Sequence, residues 1–256
     1  MKILALGDLT DTRAAAYVAA NLFRFRRERG IDFAIVNAEN AGFIIGPDPD
    51  VAQALLDGGA DVLTGGNHTL QRKSLHARLD EDARLLRPAN YPPEVPGMGY
   101  AILPAKGYRL LVMNAIGQVH MDPVDCPFRT VDRILAREAG NFDFSILDFH
   151  AEASSEKLAM GYYLDGRVDM VFGTHTHTQT ADEQILPRGT GLISDIGMCG
   201  PKNSILGIDV QTVLARMVHK LPERWVPAEG EICARGVIFT LDEGTRRVTG
   251  VERVCF

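Results

Sequence analysis

Five short apolar segments of the chain each end at polar residues that can bind a metal ion or transfer a proton. Amphipathic stretches separate the first of these segments, and the order begins βαβαβα, which predicts a layered α/β fold. Ligand sites in such folds gather at the carboxyl ends of the strands, so we expect the five endings to lie close together. The endings are Gly7-Asp8, Ala38-Glu39-Asn40, Gly66-Asn67-His68, Phe149-His150 and Gly173-Thr-His175-Thr-His177.

The most informative ending belongs to the segment Val168–Thr180. Its apolar run, Met170–Phe172, stops at Gly173, and His175 and His177 follow with one residue between them. In an extended chain this spacing sends both imidazoles to the same side. A buried strand that ends in two such imidazoles is typical of a metal site. The alternative interpretation is a polar loop with two solvated histidines.

Each of the other endings also has a purely structural interpretation. Asp8 could be a turn or N-cap residue, and Asn40 and Asn67 could be turn formers. His68 and His150 could be hydrogen-bonded histidines of the core. Turns explain one such ending readily, but they do not explain why five strands end in the same way. The sequence therefore favours a shared site.

The side-chain types at the strand ends indicate which ions they would bind. Carboxylate, amide oxygen and imidazole together suit manganese, iron or zinc, and the absence of cysteine from the set argues against a structural zinc site. In phosphoryl-transfer enzymes with two metals, the ions lie about 3.5–4 Å apart, and a shared carboxylate can hold them at that separation. Glu39 is the candidate for that bridge.

Composition narrows the classes of function. The chain has 256 residues and a net charge of −6, so we expect no basic surface that would neutralise the phosphates of DNA. A small phosphorylated substrate is compatible with this charge, because a bound metal supplies positive charge of its own. The N-terminus lacks the features of a signal peptide, and no run of about 18 apolar residues occurs, so no membrane association is expected.

The spacing of the four cysteines indicates the redox state of the cellular compartment in which the protein works. None belongs to a C-x-x-C pair, so they are predicted to be reduced and mostly buried thiols. Together with the N-terminus, this predicts a cytoplasmic protein. The cysteines are Cys126, Cys199, Cys233 and Cys255.

Hydrophobic periodicity predicts six helices and a series of short strands. Two antiparallel strand pairs are predicted, one around Lys106-Gly107 and one around Asp242-Glu-Gly244. No repeat or long linker interrupts the chain, so we expect a single domain over residues 1–256. The predicted helices are Thr12–Arg29, Asp50–Leu56, Leu70–Leu79, Phe128–Glu138, Ser154–Tyr163 and Val210–Lys220.

Taken in order, the strand endings resemble those of the calcineurin-like metallophosphoesterases. Four longer motifs resemble, more specifically, the YmdB-type branch, a bacterial family of cyclic-nucleotide phosphodiesterases. The similarity covers essentially the whole chain. The motifs are Arg87-Pro-Ala-Asn-Tyr-Pro, Asp148-Phe-His-Ala-Glu-Ala-Ser-Ser-Glu-Lys, Gly173-Thr-His-Thr-His-Thr-Gln-Thr-Ala-Asp and Asp195-Ile-Gly-Met-Cys-Gly-Pro.

The resemblance implies a four-layer αββα sandwich, in which two mixed sheets pack together and helices cover both outer faces. It also implies a two-metal centre at the strand ends. One metal would be held by Asp8, Glu39 and His177, and the other by Glu39, Asn67, His150 and His175. Asn40 would lie beside the first metal as a ligand or a substrate contact. His68 would be the catalytic histidine, and its alternative role is to orient Asn67.

The reaction that the resemblance implies is hydrolysis of a phosphodiester, with a cyclic nucleotide as the expected substrate and metal-activated water as the attacking group. Two divalent or mixed-valence transition-metal ions are implied, iron or manganese, with zinc as the alternative. A homo-oligomer is expected. One alternative function is a phosphomonoesterase or protein phosphatase on the same centre. Another is a low-turnover regulatory protein that senses a nucleotide or an RNA fragment.

Five further residues carry weaker expectations. Thr10 stands where the wider superfamily has a histidine. Arg87 and Lys157 could meet phosphate, but solvated charges are the expectation. Asp148 is either a partner of the histidine two residues later or an ordinary strand-end residue. Trp225 is expected to pack against the core or against a second subunit.

Overall fold

The computed structural model describes residues 1–256. In chain order the strands are β1 (Lys2–Leu6), β2 (Asp8–Leu9), β3 (Phe33–Asn37), β4 (Val62–Thr64), β5 (Tyr100–Ala105), β6 (Tyr108–Ile116), β7 (Phe144–His150), β8 (Met170–Thr174), β9 (Gln184–Ile185), β10 (Gly191–Ile193), β11 (Met198–Pro201), β12 (Ile232–Asp242) and β13 (Arg247–Cys255). The α-helices are α1 (Thr12–Arg29), α2 (Pro49–Asp57), α3 (His76–Glu81), α4 (Pro127–Arg137), α5 (Ser154–Leu164) and α6 (Val210–His219). None of these helices combines the length and the apolar character that crossing a membrane requires.

The strands form two sheets, each of which mixes parallel and antiparallel pairs. The first sheet has the order β2-β11-β12-β1-β3-β4, and β13 pairs with β12. The second has the order β5-β6-β7-β8-β10-β9. Strands β1, β3 and β4 run parallel in the first sheet, as do β6, β7, β8 and β10 in the second. Parallel neighbours end at the same edge, which brings the predicted strand endings together. Both predicted antiparallel pairs are confirmed, as β5 with β6 and β12 with β13.

The helices and the two sheets form four layers of secondary structure, and an apolar interface holds each neighbouring pair of layers together. The predicted four-layer αββα fold is therefore confirmed. One interface lies between the first sheet and helices α1 to α3, one between the sheets, and one between the second sheet and helices α4 and α5. Strand β1 shows how the sequence divides its side chains between interfaces. Leu4 and Leu6 belong to the helix side, whereas Ile3 and Ala5 face the other sheet, as the two-residue period of a strand requires.

Helix α1 begins and ends where local signals predict. The carboxylate of Asp11 accepts hydrogen bonds from the backbone N–H groups of Arg13 and Ala14, which caps the first turn. Gly30 ends the helix with φ of 64°, a conformation that favours glycine. One face of the helix, including Val18 and Leu22, is buried against the first sheet.

The predicted helix Leu70–Leu79 is wrong in its first half. Arg72 is extended, with φ of −85° and ψ of 91°, and it interrupts the helix. Its guanidinium donates from Nε to the backbone oxygen of Gly46 at 3.1 Å and lies 3.3 Å from Asp48. These contacts with a distant loop outweigh the local helical periodicity. The segment instead contains two 3₁₀ turns and a short helix: Thr69–Gln71, Lys73–Leu75 and His76–Glu81.

The expectation of four reduced cysteines is also wrong for two of them. Cys233 and Cys255 form a disulfide, with their Cα atoms 6.2 Å apart. They lie on the adjacent antiparallel strands β12 and β13, and this pairing brings the two sulfurs within reach of each other. Cys126 and Cys199 are free thiols, the first exposed and the second buried.

Candidate metal centre

The eight residues that the sequence identified as metal ligands or catalyst lie in one cluster, where the strand ends of the two sheets meet. Asp8, Glu39, Asn40, Asn67 and His68 come from the first sheet and the loops that follow its strands, and His150, His175 and His177 come from the second. Direct contacts of 4.0 Å or less connect all eight. The predicted convergence is therefore present in the structure.

One half of the cluster is built by Asp8, Asn40 and His177. Nε2 of His177 lies 4.0 Å from Oδ1 of Asp8 and 3.4 Å from Nδ2 of Asn40. Asp8 is fully buried, and its Oδ2 accepts a hydrogen bond of 3.1 Å from the backbone N–H of His175. Oδ1 has no hydrogen-bond partner. Burial, reinforced by the carboxylate of Asp195, raises the pKa of Asp8 well above its ordinary value.

The other half is built by Asn67, His150 and His175. Nε2 of His150 lies 3.0 Å from Oδ1 of Asn67 and 3.1 Å from Nδ1 of His175. A Cβ at Gly66 would come within 2.3 Å of the His150 ring, so the close approach of this imidazole requires glycine there. His150 is fully buried, and burial lowers its pKa well below the ordinary value, which keeps the ring neutral.

Glu39 lies between the two halves. Its Oε1 is 3.7 Å from Nε2 of His150 and 3.1 Å from Nδ1 of His68, and the same His68 nitrogen is 2.8 Å from Oδ1 of Asn40. The backbone N–H of His68 also donates to Oε1 at 2.5 Å, and the hydroxyl of Thr69 donates to Oε2 at 3.2 Å. Burial opposes protonation of His68, but its hydrogen bond to Glu39 and the charges of Glu39 and Asp8 raise its pKa overall.

Each of the three clustered histidines of the second sheet is oriented by an oxygen outside the cluster. One ring nitrogen of each contacts that oxygen at 2.9 to 3.1 Å, and the other ring nitrogen faces the cluster. A neutral imidazole whose outer N–H is bonded directs the electron pair of its other nitrogen inwards, as a metal ligand must. The partners are Thr174 Oγ1 for His150, Glu152 Oε2 for His175 and the backbone oxygen of Leu206 for His177.

A buried carboxylate, Asp148, organises the support of His150. It accepts hydrogen bonds from the hydroxyls of Thr174 and Thr64 at 2.7 and 2.5 Å and from the amide of Asn37 at 2.9 Å. Burial raises the pKa of Asp148 to about 7, although these hydrogen bonds oppose the rise. Of the two interpretations of Asp148, the structure supports that of a partner, acting on His150 through Thr174. No sequence pattern marks the two threonines or Asn37, because their roles depend on contacts between distant strands.

The spacing of His175 and His177 predicted an extended chain, but the loop that carries them is not extended. Their φ angles are 97° and 61°, in the left-handed region that residues other than glycine rarely adopt. Asp195 holds the loop, because its Oδ2 accepts from the backbone N–H and the hydroxyl of Thr176 at 3.2 and 2.7 Å. The same oxygen contacts Nζ of Lys157 at 2.6 Å. The two imidazoles thus reach one site through a constrained turn.

Two basic residues that were expected to be solvated are buried instead. Lys157 is 2% exposed and forms its ion pair with Asp195 inside the protein. Arg87 is 5% exposed. Sequence composition could not distinguish these two from the chain's many surface cations, because the burial of each depends on the packing of segments that are far apart in sequence.

The donor set fits transition-metal ions in its chemistry. The side chains contact one another directly, and no group of three or more His, Cys, Asp or Glu side chains already surrounds a common point as metal ligands do. Two observations nevertheless favour a cation. Oδ1 of Asp8 is buried without a partner. Nε2 of His150 lies 3.0 Å from Oδ1 of Asn67, and when the ring proton is on Nδ1, bonded to Thr174, both of these atoms present an electron pair to the other. Such an arrangement is repulsive unless a positive charge compensates it.

A pocket of about 370 Å³ opens over the cluster. His68, His175 and His177 are among its polar lining residues, and Thr10 also reaches it. Trp225 lines it too, and the guanidinium of Arg216 lies 4.1 Å from the centre of the indole ring. Trp225 therefore belongs to the site, which neither of the two sequence-based placements anticipated. The apolar lining residues are Phe43, Ile44, Leu206, Ile208 and Trp225.

Comparisons with known proteins agree with this geometry. The family model of YmdB-like proteins matches residues 4–254. The chain is 40% identical over 254 residues to a 2′,3′-cyclic-nucleotide 2′-phosphodiesterase of Bacillus subtilis, covering 99% of this chain and 96% of that protein.

Two solved structures share the whole fold. A hypothetical protein from Thermus thermophilus is 36% identical with a TM-score of 0.90, covering 100% of this chain and 99% of that one. A structure described as a novel phosphatase from Mycoplasma pneumoniae is 29% identical with a TM-score of 0.91, covering 100% and 93%. The match spans nearly the entire sequence, and the strand ends converge as this resemblance implies, so the chain belongs to the family of YmdB-like proteins.

Proposed function

We propose that the protein is a metal-dependent phosphodiesterase that hydrolyses nucleoside 2′,3′-cyclic phosphates at the cluster of eight residues. The relatives confirm the broader class of phosphoric ester hydrolase. The observation that carries the proposal is the orientation of the three histidines, each of which places one ring nitrogen against an oxygen outside the cluster and turns the other nitrogen into a cluster that also contains two buried carboxylates. This arrangement supports binding of cations rather than simple packing.

Membership of the family implies divalent metal ions, and we propose the following ligands for two of them. Asp8, Glu39 and His177 would hold one ion, with Asn40 beside it, and Glu39, Asn67, His150 and His175 would hold the other. The mixed oxygen and nitrogen donors favour iron or manganese, with zinc as the alternative. When bound, the two ions would polarise the phosphate and lower the pKa of the water that attacks phosphorus.

His68 is the residue of this chain that we propose to handle the proton of the leaving oxygen. Its Nδ1 is held by Asn40 and Glu39, at 2.8 and 3.1 Å, so the orientation of the ring is fixed. Nε2 contacts Nδ2 of Asn67 at 3.2 Å, and the side chain lines the pocket. With a proton on both ring nitrogens, a form that the raised pKa of His68 favours, Nε2 would give its proton to a substrate oxygen that takes the place of the Asn67 amide, as the ester bond breaks.

The pocket supports a nucleotide as substrate. Its volume of about 370 Å³ and its apolar wall suit a nucleoside, with the phosphate directed towards the clustered histidines. Trp225 offers a flat aromatic surface on which a base can stack. A phosphate ester without such a group would leave this wall without contacts, so the pocket favours a nucleotide over the alternative of a protein phosphatase.

A substrate panel on metal-loaded protein tests the proposal. Nucleoside 2′,3′-cyclic phosphates should be hydrolysed with a higher kcat/KM than an aryl monophosphate. A clear preference for the monoester would instead establish a phosphomonoesterase. Turnover that never exceeds that of a metal-only blank would favour the nucleotide- or RNA-sensing protein. Elemental analysis of protein purified without added metal would identify the ions.

Three further expectations remain proposals. We propose that residues 1–256 act as a single domain, that the protein works in the cytoplasm, and that it assembles as a homo-oligomer. Domain mapping by limited proteolysis, fractionation of cells and light scattering of the purified protein would test them in that order.

A further inference from the structure

A group of arginines lies outside the candidate metal centre. It includes Arg87, the first residue of the motif Arg87-Pro-Ala-Asn-Tyr-Pro. The side chain of Arg87 is almost fully buried, since only 5% of the residue is exposed. Nη1 donates to the backbone oxygen of Pro88 at 2.8 Å, but Nε is buried without any partner. Burial lowers the pKa of Arg87, and no nearby carboxylate contributes to the shift. Arginine stays charged in proteins, so this guanidinium is a buried cation without an anionic partner.

Arg87 lines a cavity of about 470 Å³ between its own connector segment and helix α4. Arg133 and Arg137, from that helix, line the same cavity. Each forms a long ion pair at the surface, Arg133 with Asp125 at 3.6 Å and Arg137 with Glu138 at 3.5 Å, and exposed pairs of this kind contribute little. Three arginines and one acidic residue, Asp125, thus line one cavity, in a chain whose net charge is −6. Tyr91 and Tyr100 add aromatic surface to its wall.

We propose that this cavity binds the phosphate group of a small, nucleotide-sized molecule at a site separate from the candidate metal centre. The two pockets share no lining residue. Guanidinium groups bind phosphate through paired, charge-assisted hydrogen bonds, and Arg87, which lines the cavity, has a buried Nε donor without a partner. Arg133 and Arg137 have exposed side chains that can move onto the ligand.

Calorimetric titration of the full-length protein with inorganic phosphate, after removal of metals with a chelator, tests the proposal. Without metals the candidate metal centre has no cation for phosphate, so binding there does not interfere. We expect saturable binding at one site per chain. The double variant Arg133→Gln with Arg137→Gln should weaken it about tenfold or more, because two charged donors are lost. Arg87→Gln should weaken it as well.

Arg129→Gln provides the matched control, because Arg129 lies on the same helix but does not line the cavity. It should leave phosphate binding unchanged. The double variant should also hydrolyse substrate at the rate of the unmodified protein, which separates this site from the proposed catalytic one. Arg87→Gln changes a buried residue, so this variant can fail to fold. The phosphate affinity of the surface double variant is therefore the measurement that decides the test. The proposal is overturned if the double variant binds phosphate as tightly as the unmodified protein, if metal-free protein binds none, or if acetate binds equally well.

Discussion

The hydroxyl of Thr174 connects His150 to Asp148. It lies 2.9 Å from Nδ1 of His150 and donates its only hydrogen to Oδ1 of Asp148 at 2.7 Å. Thr174 must therefore accept the hydrogen on Nδ1, which leaves Nε2 of His150 unprotonated and facing the cluster. A residue that no metal-binding motif contains thus decides the tautomer of a proposed metal ligand.

Replacing Thr174 with valine should weaken metal binding. Valine has nearly the same shape but cannot accept a hydrogen bond, so the tautomer and orientation of His150 are no longer fixed. Loss of such a supporting partner typically lowers metal affinity about 10- to 100-fold. Competition with a chromophoric chelator measures this affinity. Thr174→Ser keeps the hydroxyl and should bind metal almost normally, and equal affinity of the valine and serine variants would contradict the role of the hydroxyl.

Replacing Lys157 with methionine should destabilise the fold. The change leaves the carboxylate of Asp195 buried without its cation, and breaking a buried pair in this way costs about 3–5 kcal/mol. Urea unfolding followed by circular dichroism gives the free energy of unfolding. Lys202→Met is the control, because Lys202 and Glu231 are also 2.6 Å apart but lie at the surface. That variant should change stability little. A similar loss of unfolding free energy in both variants would show that burial of the ion pair does not determine its contribution to stability.

Replacing Trp225 with alanine should impair nucleotide binding more than catalysis. Loss of a stacking surface should raise KM for a nucleoside 2′,3′-cyclic phosphate by about tenfold or more, with a smaller effect on kcat. Steady-state kinetics with ribose 2′,3′-cyclic phosphate, which lacks the base, should show no such change. Trp225→Phe should retain most of the affinity. An equal effect of Trp225→Ala on both substrates would rule out stacking on the base.

Replacing His68 with alanine should separate chemistry from metal binding. We expect kcat to fall about 10²- to 10⁴-fold, since a proton donor is lost, while both metals stay bound. Glu39→Ala and Asn67→Ala should lose metal as well as rate, as elemental analysis of the purified variants would report. His120→Ala changes an exposed loop histidine and should alter neither quantity. Full turnover of His68→Ala with both metals present would reject the catalytic role.

The sequence predicted best the features that depend on local residues and those that recur at several strand ends. Helix α1 was predicted with its observed limits, because the apolar stripe and Gly30 both act within the segment, and the cap that Asp11 provides in the structure is local as well. The convergence of the strand ends was predictable because parallel neighbours in a layered α/β sheet end at one edge. Five endings of the same kind then identified the residues of the cluster without any knowledge of their distances.

What the sequence missed depends on contacts between distant segments. Strands β2 and β11 have two and four residues, and no local pattern marks them, because β2 forms only by pairing with β11 and β11 pairs in turn with β12. Arg72 interrupts a periodic helix because it binds a loop 26 residues away. The left-handed backbone of His175 and His177, and the burial of Arg87, likewise follow from tertiary packing.

The division of the cluster between the two sheets has a mechanical consequence. Distances between donors of one sheet, such as Asn67 and Glu39, are fixed by backbone hydrogen bonds between neighbouring strands. The separation of His150 from Asn67 instead depends on how the two sheets slide across their shared apolar layer. Substitutions of Phe33 or Phe172 in that layer would thus alter the size of ion that the donors accommodate, although neither residue is itself a donor.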